Sequence, residues 1–316
     1  MEETSPKESS RGSRVYVILN PVAGMTDPDA TVELVNHYCE KHSWECEIYK
    51  TQKDEDLRQL VKDALHKGVD MVIAAGGDGT VSSVVSGMVN SHVPLGIIPA
   101  GTGNALARDL SIPLDFPSAL NLLGSEHKIQ ELDVMDVEGK GIFVMNVSVG
   151  VSSLTMRKTA REEKRKYGFL AYLYRAADTL MRSDLHRFVV KVDNRPMQFS
   201  ASEVLIANNK LAGLQPQLDG VEIDPEDGKM DMFVVSAQSL RDYLDVFSKF
   251  VAPGKVEDAS NLYYLSARNT IRIESEFPLP VQADGEELGT TPVEVKLIPR
   301  GLKVIVPVNV PPDNQE

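Results

Sequence analysis

No stretch of this sequence is apolar for long enough to cross a membrane as a helix, which takes about 20 residues. The N-terminus is polar, without the apolar centre of a secretory leader. Positive charge is in short supply: 33 Lys and Arg face 46 Asp and Glu, a net charge of −13. That balance argues against nucleic acid, which selects positive patches, and gives no general attraction to anionic membrane. Cysteine is nearly absent. Cys39 and Cys46 lack metal or redox spacing, and the expectation is two reduced, incidental thiols in a cytoplasmic protein. The six histidines form no cluster and read as surface or packing. Two phosphate-binding signatures are also missing. There is no Walker loop ending in Gly-Lys-Ser/Thr, and Gly101-Thr102-Gly103 fails as a dinucleotide fingerprint because Leu106 stands where the third glycine belongs.

What is present centres on Ala74-Ala75-Gly76-Gly77-Asp78-Gly79-Thr80. Val69 to Ile73 is a short apolar run that reads as a buried strand, and Val81, Val84, Val85 and Met88 recur at helical spacing. Strand, glycine turn and helix make a phosphate cradle, because glycine admits close approach and helix-start amides favour anions. A carboxylate beside phosphates needs a cation between them, so Asp78 implies Mg²⁺. The competing reading is a tight Asp-Gly turn. A second glycine loop, Pro99-Ala100-Gly101-Thr102-Gly103-Asn104, follows the strand Pro94 to Ile98 and precedes a short helix over 105–110.

The 316 residues allow two domains. Residues 1–13 are a polar tail predicted to be disordered. Strands at Val15–Leu19 and Trp44–Tyr49 alternate with helices, one capped by Asp27 with Pro28 at its first position, the other over Asp54–Lys67. This half reads as a parallel α/β domain. From Gln130 the pattern changes to strands: 130–137, 143–149, 188–192, 202–207, 230–235, 270–273, 293–298 and 302–306, with helices near 166–182 and 239–250. Short strands between Gly, Pro and Asp turns suggest a β-sandwich. The expected organisation is an α/β nucleotide domain over 14–129, a β-sandwich-rich domain over 130–307, and a tail over 308–316.

Asn20-Pro21-Val22-Ala23-Gly24, Gly76-Gly77-Asp78-Gly79-Thr80 and Pro99-Ala100-Gly101-Thr102-Gly103-Asn104, in this order, resemble the diacylglycerol kinase catalytic domain family. That family includes bacterial soluble diacylglycerol kinases, sphingosine kinases and ceramide kinases. Gly-Gly-Asp-Gly-Thr alone also occurs in NAD kinases and phosphofructokinases, whereas the three motifs together are specific. The resemblance runs from about Arg14 to about Pro307.

The resemblance implies an ATP- and Mg²⁺-dependent lipid kinase, phosphorylating a lipid hydroxyl, with diacylglycerol the favoured acceptor. A sphingoid base or another lipid, a soluble substrate such as NAD, and a non-catalytic lipid-binding module are the alternatives. It places Asn20, Pro21, Val22, Ala23, Gly24, Thr51, Gly76, Gly77, Asp78, Gly79, Thr80, Val81, Ser82, Ser83, Gly101, Thr102 and Asn104 around the nucleotide. Arg108 is open between a substrate role and a solvated helix position. Asp284 and Glu286, in Asp284-Gly285-Glu286, would jointly provide the base that takes the hydroxyl proton, with Asp78 as rival. On spacing alone that tripeptide is a hairpin turn. Asp133 aligns with an acid that joins the same network. The turn Asp224-Pro225-Glu226-Asp227-Gly228-Lys229 resembles a Mg²⁺ loop, using the Asp227 side chain and the carbonyls of Asp224 and Lys229; a metal-free turn is the alternative. Arg157, Lys158, Arg161, Lys164, Arg165 and Lys166, followed by Tyr167, Phe169, Tyr172 and Tyr174, suit transient contact with anionic membrane. A core helix with a basic approach would look the same. Peripheral membrane association of a cytoplasmic enzyme follows, and a homodimer is compatible with it.

Overall fold

Strands buried on both faces read as unbroken apolar runs, and the first part of the chain is built from such runs. The computed structural model describes residues 12–23, 28–52, 55–150, 184–210, 216, 219–251 and 261–308. They form two compact units. One reaches Asn104 and takes in Ser111–Ile129 and the chain from Val304 onward; the other is Ala105–Leu110 with Gln130–Lys303.

In the first unit β1 (Arg14–Leu19), β3 (Met71–Gly76) and β4 (Leu95–Pro99) are buried almost throughout, while β2 (Glu45–Lys50) lies at the edge. The order is β2-β1-β3-β4, every pair parallel, and Val304 of β16 (Val293–Pro307) continues it opposite Leu95. The helices are α1 (Pro28–Lys41), α2 (Leu57–His66), α3 (Asp78–Met88) and α5 (Phe116–Gly124). Asp56 caps α2 by accepting the Arg58 N–H at 3.0 Å, and Leu57, Val61 and Ala64 form its buried stripe. α3 lies close against it: a Cβ at Gly87 would sit 2.7 Å from Val61 Cβ. With parallel strands, the loops after β1, β3 and β4 all leave the same rim, where open α/β sheets bind ligands.

The second unit holds α4 (Ala105–Asp109) and a β-sandwich. One layer takes β16 with β13 (Thr270–Ser275), β8 (His186–Val192) and β9 (Arg195–Ala201), and β5 (His127–Val137) joins β16 to β6 (Gly141–Phe143). The other is ordered β12-β11-β10-β7-β14-β15 and is antiparallel throughout. Its strands are β7 (Asn146–Gly150), β10 (Glu203–Ala207), β11 (Met230–Val235), β12 (Leu262–Ala267), β14 (Pro280–Ala283) and β15 (Glu286–Thr290). Alternate residues of both layers, among them Phe188, Val190, Val147, Val149, Val204, Met232 and Val281, make one apolar core. α6 (Leu240–Val251) places Val246 and Tyr243 in a second cluster with Phe233 and Leu262.

Several expectations are corrected. The run 143–149 is not one strand: the chain breaks at Val144–Met145, between β6 and β7. The runs 293–298 and 302–306 are one strand, β16, carried through Arg300 at φ +49°. β9 was not foreseen; it contains Pro196 and ends its layer, which is where a residue without an N–H is tolerated. β12 was also missed. Asp78 and Gly79, read as turn, open α3, where an acidic residue complements the helix dipole. Cys39 and Cys46 are not free thiols. Their Cα atoms lie 6.2 Å apart on α1 and β2 and they form a disulfide, so cysteine usage no longer argues for a reducing compartment. Among the described residues no helix is long and apolar enough to cross a membrane. Residues 1–11 and 309–316 of the tails, Gly24, Asp27, the basic-aromatic segment 157–174 and the helix expected near 166–182 lie outside the described residues.

Candidate functional site

At the rim of the first unit, three loops hold one another. Asn20 donates from Nδ2 to Thr80 Oγ1 at 3.1 Å, and its Oδ1 accepts the Val22 N–H at 3.1 Å. The Asn20 N–H donates to Ala75 O, and the Ala100 N–H to Gly76 O, each at 2.9 Å. Asn104, in the left-handed region at φ +51°, closes the second glycine loop on itself: its Oδ1 accepts the Gly101 N–H and its Nδ2 donates to Gly101 O, both at 2.9 Å. Asn104 N–H donates to Asp78 Oδ2 at 3.0 Å, tying that loop to the start of α3.

The glycines are demanded by packing. A Cβ at Gly101 would lie 2.6 Å from Gly77 Cα, and one at Gly103 would lie 2.6 Å from Asp78 Oδ2. Gly77 occupies the N-cap of α3 and gives it no side-chain acceptor. The arrangement therefore offers a helix start beside two touching glycine backbones, a shape and polarity suited to phosphate. Of the residues assigned to the nucleotide, Val22, Gly79 and Thr102 are exposed, and Pro21, Ala23, Gly77, Asp78, Ser82, Ser83 and Gly101 are half-buried. Thr51 is fixed through its N–H to Leu19 O at 2.9 Å. Ser83 donates its hydroxyl to Gly79 O at 2.9 Å. The Val81 side chain is buried in the core, because the helix turns that position inward.

In the second unit the Asp284-Gly285 turn joins β14 to β15 with φ of +46° and +86°, the pattern of a type I′ hairpin. The Asp284 carboxylate turns back onto the break between β6 and β7. Oδ1 accepts the N–H groups of Met145 and Asn146 at 3.0 and 2.9 Å, and Oδ2 accepts that of Val144 at 2.8 Å. Burial pushes this carboxyl up to about 6, the three amides pull it down, and Glu286 adds a smaller upward push. A carboxylate has about four acceptor positions; among the described residues three are filled and one, on Oδ2, remains. Glu286 is exposed at the start of β15, so hairpin geometry separates two acids that the sequence set side by side.

Asp133 is fully buried and does not contact Asp284. Its carboxylate accepts the N–H groups of Gly228 and Arg300, both at 2.7 Å, and its own N–H donates to Pro225 O. Burial raises its pKa, with Asp227 and Asp224 adding to the rise. It thus anchors the 224–229 turn. Within that turn Asp224 Oδ1 accepts the Glu226 N–H, and Asp227 takes both the N–H and, at 2.5 Å, the ammonium of Lys229. Neighbouring Asp231 is buried, bonded by the Tyr264 hydroxyl at 2.7 Å, and its Oδ2 has no partner among the described residues. Burial lifts it to about 6. The Lys229 ammonium lowers the Asp231 pKa, against the upward push of Asp227 and Asp224.

Asn208, Asn209 and Asp109 were not foreseen. The two asparagines are fully buried beyond the end of β10, and nothing in an Asn-Asn pair after an apolar strand announces burial. Asp109, on α4, accepts the Lys210 N–H, and burial pushes it up to about 6. Arg108 is exposed.

Comparison with known proteins agrees with this architecture. Residues 14–137 match the diacylglycerol kinase catalytic domain, and residues 145–306 match the YegS C-terminal NAD kinase beta sandwich-like domain. A diacylglycerol kinase of Staphylococcus aureus (strain MRSA252) is 26% identical over 94% of this chain and 93% of its own. An uncharacterized protein of Synechocystis sp. is 28% identical over 93% of this chain and 70% of its own. The crystal structure of a diacylglycerol kinase from Bacillus anthracis str. Sterne has the same fold, with a TM-score of 0.72 at 22% identity, covering 95% of this chain and 98% of that one. Matched by these two models along most of its length, the chain belongs to the diacylglycerol kinase catalytic domain family.

Proposed function

We propose that the protein is an ATP- and Mg²⁺-dependent lipid kinase whose acceptor is the hydroxyl of diacylglycerol, giving phosphatidic acid. The observation that carries this reading is the interlocked pair of glycine loops. Gly77 and Gly101 meet backbone to backbone, and Asp78 is fixed beside them by the Asn104 N–H. Phosphoryl transfer asks a protein mainly for positioning and charge stabilisation, and this cradle offers both. Asp78 brings a single carboxylate, which suits an ion shared with bound phosphates. When bound, Mg²⁺ would neutralise phosphate charge.

Asp284 then serves as the acceptor of the hydroxyl proton at its open Oδ2 position, with Glu286 as the exposed second acid. Positioned general bases contribute about 10²–10⁴-fold. At the 224–229 turn, the carboxylate surplus and the unpartnered Asp231 Oδ2 suit a weakly held Mg²⁺ on the Asp227 carboxylate and the carbonyls of Asp224 and Lys229. The segment 157–174 is assigned to transient docking on anionic membrane, from its local excess of basic and aromatic residues.

The deciding experiment is turnover of labelled ATP with diacylglycerol, sphingoid bases, other lipid alcohols and NAD as acceptors. Phosphatidic acid as the main product supports the reading. Transfer to NAD alone, or to nothing, overturns it.

A further inference from the structure

The segment Val144–Asn146, where β6 gives way to β7, is held from both sides. From one side come the acid's oxygens: all three of its N–H groups donate to the Asp284 carboxylate, and Asn146 O accepts the Asp284 N–H at 3.1 Å. From the other side come Asn208 and Asn209. β10 runs antiparallel to β7 with Ala207 opposite Asn146, so the chain leaving β10 passes over residues 144 and 145. There the N–H groups of Asn208 and Asn209 both donate to Met145 O, at 3.0 and 3.3 Å. Their side-chain amides both donate to Val144 O, at 3.0 and 2.8 Å. Four donors thus meet two consecutive carbonyls.

The two side-chain oxygens do nothing comparable. Asn208 Oδ1 and Asn209 Oδ1 are buried without a partner among the described residues. A buried polar atom left unpaired is costly, so the pair carries a cost that fold stability alone does not explain. We infer that Asn208 and Asn209 are positioning residues for the proposed base Asp284, clamping the Val144 and Met145 carbonyls so that the 144–146 amides stay aimed at its carboxylate. This rests on the reading of Asp284 as the proton acceptor. A loosened segment would present poorer donors to the ionised carboxylate, and hydrogen bonds to the charged form are what hold its pKa down. Among the described residues, the charged group that acts on Asp284 is Glu286.

The test is Asn209→Leu, which keeps the shape, removes the donor and also removes the unpaired oxygen. Asn208 is the less clean choice because its amide also donates to Asp133 O at 2.8 Å. Asn209→Ser, smaller and too short to reach Val144 O, is the second variant should the first not fold. The readout is the titration of the Asp284 side-chain carboxyl by ¹³C NMR in the full-length protein, assigned by its disappearance in Asp284→Asn. The expected result is a midpoint raised by about half a unit or more. With it, kcat at pH 6 falls about twofold or more and changes little at pH 8, while KM for ATP stays within about twofold. In an Asp284→Asn background the same substitution should cost little further activity, because residues acting as a unit are non-additive. An unmoved midpoint, or an equal activity loss in both backgrounds, overturns the inference. If no acceptor is phosphorylated at all, the proposed function fails, and the NMR titration still decides whether the asparagines set the state of Asp284.

Discussion

The Asn104 N–H donates to the Asp78 carboxylate at 3.0 Å, joining two glycine loops 26 residues apart in sequence. One carboxylate therefore has a structural duty and, in the proposed function, a metal and phosphate duty. Asp78→Asn separates them, because the amide oxygen still accepts from Asn104 while the charge is gone. Most kinase activity should disappear, with stability changed by no more than about 1 kcal/mol. Measured turnover beside thermal melting checks this; full activity in the variant removes the Mg²⁺ argument.

Gly101→Ala tests the contact between the loops. Its Cβ would meet Gly77 Cα at 2.6 Å, a backbone atom that cannot swing aside. Overpacking of this kind costs about 1–3 kcal/mol, and the cradle should open enough to weaken ATP binding about tenfold or more. Calorimetric titration with ATP gives the answer, and unchanged affinity would mean the loops do not shape the nucleotide site.

Asp284→Asn and Glu286→Gln should each lower kcat with ATP binding retained, and Asp284→Asn should lower it more. The double variant should lose less than the product of the two. Because the Asp284 carboxyl is raised to about 6, wild-type activity should fall as pH drops through about 6, where the acceptor becomes protonated. A kcat profile flat from pH 5 to 8, or near-normal turnover in Asp284→Asn, contradicts the assignment.

Mg²⁺ should raise the thermal midpoint by a degree or more, since a ligand bound only by the folded state stabilises in proportion to ln(1 + [L]/Kd). The rise should vanish in Asp227→Asn. If Mg²⁺ leaves the wild-type midpoint unmoved, the 224–229 turn is closed by the Lys229 ammonium alone.

Asp109 makes a prediction about stability and pH. Its pKa is raised by burial from 3.8 to about 6 in the folded protein. Between those values the folded state holds a proton that the unfolded state has released, so this group's favourable contribution is full below about 4 and lost as pH rises through about 6. Asp109→Asn keeps an oxygen for the Lys210 N–H and cannot ionise. It should flatten the stability curve over pH 4–6 and gain about 1–2 kcal/mol at pH 7, less than the full linkage value because the residue is half-buried. Denaturant melts at several pH values measure it; an unchanged slope would show that Asp109 titrates normally.

Local chemistry made much of the first unit legible. Buried parallel strands show as continuous apolar runs, and Gly-Gly-Asp-Gly-Thr and Pro-Ala-Gly-Thr-Gly-Asn carry their constraint in residue type, since no side chain fits where Gly77 and Gly101 touch. The Asp-Gly hairpin was equally readable, because its two positive φ values call for those residues. Strand content and turn chemistry likewise pointed to a sandwich in the second half.

What depends on partners distant in sequence was decided only by the tertiary structure. Cys39 and Cys46 look incidental until α1 and β2 bring them together. Val81 sits among candidate ligands in sequence and in the core in space, because a helix sends neighbouring side chains in different directions. Asp284 and Glu286 differ in environment through the hairpin's geometry, which sets one carboxylate on the amides of 144–146 and leaves the other exposed. Asn208 and Asn209 acquire meaning only when β10 pairs with β7 and carries them over Val144. Sequence determines residue type and local conformation; which buried group meets which is decided when the sheets pack, because burial turns an ordinary amide or carboxylate into one that must find its partner.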